Sequence, residues 1–176
     1  QYPDRLIGFA RVNTSQRWCG AIAAEMLPDL KGVKIHEADD FMNIDNLLGV
    51  AQMAATYDLP ILLHGSTSTV ERVCREIPLL KVIWAHMGGL PADQLRLDVV
   101  KIMQQCPRVY LDTSGCIMPS AIRQAVKKFG SHRLVMGSDY PVDDMPWAIR
   151  RVELARLSKE DFDKIMGKNM LEVLEE

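Results

Sequence analysis

PILLHGS (60–66), KVIWAHMGG (81–89) and RLVMGSDYP (133–141) decide how this chain is read. Each is an apolar run, rich in branched residues, that ends in one side chain able to bind a metal or move a proton: His64, His86 and Asp139. Short apolar runs bounded by Gly, Pro and Ser are strand signals. In a barrel of parallel strands the C-terminal strand ends all open onto one face, where active sites are built. Three residues far apart in sequence would then meet in space, and the chain is expected to be an enzyme.

Working outward, RLIGFARVN (5–13) reads as a strand, followed by a helical region up to Met26. GVKIH (32–36) is the next strand and breaks into a polar loop, Glu37–Asn43. Ile44 to Tyr57 is helical, because Ile44, Leu47, Leu48, Ala51 and Ala55 recur at spacings of three and four. Leu59–Pro60 ends that helix before strand Ile61–His64. Ser68 and Glu71 have the spacing of a capping box, and Pro78 limits the helix they open to about Glu76. Strand Val82–His86 follows, then a helix with Leu95, Val99, Ile102 and Met103 on one face that stops before Pro107. Val109–Asp112 is a strand, Pro119 to Gly130 a helix, and Leu134–Met136 a strand. Further helices start after Pro146 and after Ser158.

Strands alternating with helices imply βαβ units and a parallel sheet. The expected fold is α/β, of the (β/α)8 TIM-barrel type, with about six units in a single domain over residues 1–176. A closed barrel needs about 250 residues, so the chain is expected to fall about two β/α units short of closure. The chain is 48% apolar, enough for one substantial core. Its net charge of −2, from 21 basic and 23 acidic residues, offers no field for nucleic acid or an anionic membrane. Lys127–Lys128 and Arg150–Arg151 read as solvated helix faces. No window reaches the ~18 apolar residues of a membrane span, and no basic-then-apolar leader opens the sequence. Cys19, Cys74, Cys106 and Cys116 are too scattered for a disulfide framework or a zinc knuckle. Reduced thiols point to the cytoplasm.

LLHGS, VIWAHMGG, VYLDTSG and MGSDYP, in this order, resemble strands five to eight of the amidohydrolase superfamily. The resemblance is closest to its amidohydrolase-related branch, which holds aminocarboxymuconate-semialdehyde decarboxylase and its relatives. GFARVN and GVKIH are similar to that branch's third and fourth strands, and IMGKNMLEVL (165–174) to its C-terminal helix. The resemblance implies a divalent ion, zinc foremost, at the barrel mouth. His64 would be the strand-five ligand, and His86 the strand-six ligand or acid/base. Asp139 would be the strand-eight ligand that handles the proton of an activated water. Lys34 falls where some members carry a bridging, carbamylated Lys. The family's first motif, His-x-His, does not occur in these 176 residues.

The expected function is therefore metal-dependent hydrolysis, or non-oxidative decarboxylation, of a small carbonyl or carboxylate compound. Catalysis would rest on Asp139 and His86, and metal binding on His64, His86 and Asp139. His36 and Ser114 are candidate substrate contacts, together with Asp112. Two other readings stand beside it. One is a metal-free lactonase of the same superfamily; the other is a non-catalytic barrel fragment that associates through open sheet edges into an oligomer. Lys34 and His36 share a strand face, where a paired Lys and a rim His are the simpler reading. Trp84 is expected to fill the barrel interior, and His132 to be structural at the far end.

Overall fold

The computed structural model describes residues 5–37 and 42–175. Six parallel strands form one sheet in chain order: β1 Ala10–Arg11, β2 Val33–His36, β3 Ile61–His64, β4 Val82–Trp84, β5 Val109–Asp112 and β6 Leu134–Val135. Between them run α1 Cys19–Met26, α2 Ile44–Thr56, α3 Thr67–Glu76, α4 Leu97–Gln105 and α5 Pro119–Phe129. After β6 come α6 Met145–Leu154, α7 Lys159–Asp163, a π-helical turn Lys164–Lys168 and α8 Asn169–Glu175. Every strand-to-strand step crosses over through a helix, as parallel pairing demands. Part of the loop after β2, residues 38–41, lies outside the described residues.

Alternation along the strands divides the sheet into two faces. Val33, Ile35, Ile61, Leu63, Trp84 and Leu111 belong to the main core, packed under the helices. The other face holds Leu62, Ile83, Tyr110 and Val135, which cluster with Met170 and Val173 of α8. This second face corresponds to a barrel interior, and at its C-terminal edge stand His36, His64 and Asp112. Asn169 ties α8 to the sheet by donating its amide to the carbonyls of Ser131 (2.7 Å) and Leu134 (2.6 Å). That bond gives the Gly-x-Asn step at residues 167–169 a structural purpose.

Several local expectations shift. Only Ala10–Arg11 of the 5–13 run pairs, with Val33 and Lys34, while Leu6 and Ile7 are exposed. The cap of α3 is Ser66 rather than Ser68. Its hydroxyl accepts from the Thr69 amide at 3.3 Å, and Glu71 instead faces Lys101. An extended Ser66 (φ −68°, ψ 161°) satisfies the helix start two residues earlier than the capping-box spacing suggests. On α2 the fully buried stripe is Leu47, Val50, Ala51 and Ala54, rotated slightly from the expected one. Strand β4 ends at Trp84, not His86. Trp84 pairs in register between Leu63 and Leu111 and faces the helices, where its indole N–H donates to Gly65 O at 2.9 Å. It therefore does not fill the barrel interior.

Candidate active site

His36 and His64 sit opposite one another in register at the ends of β2 and β3, both on the inner face. Their ring centroids are 4.0 Å apart. Strict alternation from Trp84 would send His86 to the helix side, away from them. The chain avoids this by turning. His86 (φ 58°) and Met87 (φ 53°) both adopt left-handed backbone, which swings the imidazole inward. Non-glycine residues rarely hold that conformation, and something must fix it. The fixing group is Asp112, whose carboxylate accepts the His86 backbone N–H at 3.0 Å.

The inward imidazole is then gripped at both nitrogens. Its Nε2 lies 3.1 Å from His64 Nδ1, and its Nδ1 lies 2.9 Å from Ser114 Oγ. Ser114 donates its hydroxyl to Asp112 Oδ1, which also accepts the Ser114 amide at 2.9 Å. His86, Ser114 and Asp112 are 3%, 2% and 6% exposed. Asp112 and Ser114 lie beside His86 and hold it. His64 is half-buried among positive neighbours. Burial first, then His36, His86 and Lys34, lower its pKa to about 4 against a smaller opposing pull from Asp139, so its ring is neutral at pH 7.

Asp139 (φ 62°) sits on the exposed loop after β6, near enough to act electrostatically on His64. The loop is anchored by Arg151, a buried guanidinium on α6 that pairs with Asp143 and donates to Thr113 O at 3.3 Å. The donor types suit a first-row divalent ion: two imidazoles and a carboxylate at one end of the sheet. Their arrangement does not complete a site. His64 and His86 are bonded to each other, and among the described residues no three His, Cys, Asp or Glu side chains gather to hold an ion. These residues supply at most part of a ligand set.

Beside the histidines opens a cleft of about 620 Å³, lined by Glu37, His64, Ser66, Gly89, Leu90 and Arg96 among others. Sequence reading passed over Glu37 and Arg96. Glu37 caps α3: its carboxylate accepts the Ser66 amide, and the hydroxyls of Ser66 and Thr69 at 3.0 Å each. The signal was present as a lone acid at the end of one strand and a hydroxyl-rich start to the helix after the next. Arg96 forms the opposite wall, fixed to Asp98 through Nε (3.0 Å) and Nη2 (2.6 Å). That guanidinium holds the Asp98 carboxyl well below the usual range. His132 lies in a turn leading into β6, at the end of the sheet away from the cleft.

The sequence profile of the amidohydrolase family matches residues 1–175. A curated relative, gamma-resorcylate decarboxylase of Polaromonas sp. strain JS666, is 29% identical over 104 residues. That match covers 50% of this chain and only 32% of the relative's length, so the chain spans about a third of the curated relative it matches. An uncharacterized TIM-barrel protein from Bordetella bronchiseptica superposes with a TM-score of 0.81 at 19% identity, over 98% of this chain and 68% of its own. A dihydroxybenzoic acid decarboxylase from the same Polaromonas strain, solved with manganese and the inhibitor 2-nitroresorcinol, superposes at 0.77 with 16% identity. That superposition covers 98% of this chain and 70% of the decarboxylase. The two structures bear on the fold, which they share as a TIM barrel of which this chain forms a part; the profile match bears on descent, and by it the chain belongs to the amidohydrolase family.

Proposed function

We propose that the protein is a non-oxidative decarboxylase of a small hydroxylated aromatic carboxylate. The observation that carries this reading is the bonded line His64–His86–Ser114–Asp112 at the barrel mouth. Decarboxylation needs one proton delivered to carbon, and one group that can hold it until then. His64 and His86 face each other, and among the described residues it is His86 that is hydrogen-bonded, through Ser114, to a carboxylate. Positive charge is therefore better supported on His86, and its Nε2–H is the donor. The proton adds to the ring carbon that bears the carboxylate. The bond to the carboxylate carbon then breaks, its electron pair restores the aromatic ring, and CO2 leaves. The relative that acts on a resorcylate supports the substrate class.

Cleft dimensions agree with a ligand of this size, since small-molecule sites run from about 300 to 1,000 Å³. Arg96, on the wall of that cleft, is placed to attract the substrate's negative charge. A divalent ion, zinc by donor type and manganese by analogy with the Polaromonas enzyme, would take His64 and Asp139 as ligands from this chain. When bound, it would orient and polarise the substrate's oxygen atoms. Among the described residues no helix is long and apolar enough to cross a membrane, and a cytoplasmic setting is proposed from the free thiols.

The test is incubation of the protein with dihydroxybenzoates in deuterium oxide. The expected product carries one deuterium at the vacated carbon, with equimolar CO2. A hydrolase acting on an ester, lactone or amide would instead incorporate a water oxygen, and labelled water reads that outcome directly. Oxygen incorporation without CO2 would replace this reading with the hydrolytic one.

A further inference from the structure

We propose that Asp112 and Ser114 form an orienting dyad that fixes which nitrogen of His86 carries its proton. The inference rests on the reading of His86 as proton donor, and it assigns two positioning residues to that donor.

The Ser114 hydroxyl donates its hydrogen to Asp112 Oδ1, which also accepts the His86 and Ser114 amides. With that hydrogen committed, Ser114 Oγ presents only lone pairs to His86, 2.9 Å away. His86 Nδ1 must therefore carry the hydrogen of that contact. In the neutral ring this leaves Nε2 bare, aimed at His64 Nδ1. Both bonds then point the same way, from His86 through Ser114 to the carboxylate. The bare Nε2 of His86 is the position at which a proton can be taken up and given away.

Asp112 controls the ring at two points. Its bond to the His86 amide maintains the left-handed turn, and its bond to Ser114 sets the ring's hydrogen. The surrounding backbone leaves room for this. A Cβ at Gly137 would lie 3.1 Å from the Asp112 carboxyl carbon, and one at Gly115 (φ 60°) 3.2 Å from His86 Nδ1. Both glycines let the backbone approach the dyad closely, and at Gly115 the positive φ also favours glycine.

The experiment is nitrogen-15 NMR of the histidine rings at pH 8, a readout that needs neither substrate nor metal. The chain has four histidines, so the ring signals are few. In the parent protein His86 should show a pyrrole-like Nδ1 and a pyridine-like Nε2. Ser114→Ala should collapse that pattern toward a mixture of tautomers, and Ser114→Thr, which keeps the hydroxyl, should restore it. Where turnover is measurable, Ser114→Ala should lower kcat by roughly 10²-fold, within the range of acid–base contributions, with little change in KM. A hydrogen on Nε2 in the parent protein overturns the dyad without any variant, as does an unchanged pattern in folded Ser114→Ala. Absence of decarboxylation in a parent protein with the expected ring signals would sink the proposed function and leave the dyad standing.

Discussion

Replacing Arg151 with Met tests whether the loop that bears Asp139 is held from below. The guanidinium is 4% exposed on its side chain, pairs with Asp143, donates to Thr113 O at 3.3 Å and lies 5.9 Å from the Trp147 ring centre. Removing one member of a buried ion pair costs about 3–5 kcal/mol, mostly because the partner charge is left without compensation. Asp143 is 25% exposed and regains some water, which places the expected loss near the lower end, about 3 kcal/mol. For a protein of this size that corresponds to a fall of roughly 6–12 °C in Tm. Urea unfolding followed by circular dichroism gives the free energy, and a second variant separates charge from packing. Asp143→Asn with Arg151→Met removes the stranded carboxylate, and should recover at least about 1 kcal/mol of what the single change loses. A single variant within about 0.5 kcal/mol of the parent would behave like an ordinary surface change. The anchoring role of Arg151 would then be refuted.

Three further outcomes are expected. Asp139→Asn should lower turnover by roughly 10²–10⁴-fold, the range of a lost proton-handling group, while Tm moves little, because Asn also suits an exposed left-handed turn position; near-parental turnover would make Asp139 a turn former. In a protein that also carries the family's His-x-His segment, His64→Ala should abolish most divalent metal binding by elemental analysis, and unchanged stoichiometry would remove His64 from the ligand set. In metal-free protein, stability should fall with pH between about 6.5 and 4, because folding depresses the His64 pKa to about 4. In that window the unfolded chain binds the extra proton, so acid favours unfolding; above pH 6.5 and below pH 4 this contribution is flat. His64→Asn should flatten that part of the profile, and an identical slope in the variant would assign the effect to another group.

His36 and His64 were legible because period-two alternation on β2 and β3 is clean. Lys34 with His36, and Leu62 with His64, take one face whichever way the sheet is turned. The run VIW offers no such contrast, since all three side chains are buried. A strand apolar on both faces does not show which side points inward, and Trp84 was misplaced for that reason. His86 depends on a different kind of information. Its inward swing needs left-handed backbone at His86 and Met87, two residues that do not advertise it, and the hydrogen bond that holds the turn comes from Asp112, 26 positions later. Glu37 and Ser66 make the same point at smaller scale, with a helix cap shared across 29 positions. Local patterns thus located the strand ends, whereas polar contacts between neighbouring strands decide which nitrogen faces the cleft. If chemistry at this mouth diverges between relatives, the divergence should begin in those inter-strand partners, Asp112 and Ser114 first, because they can change the proton's position without moving His86 or disturbing the core beneath it.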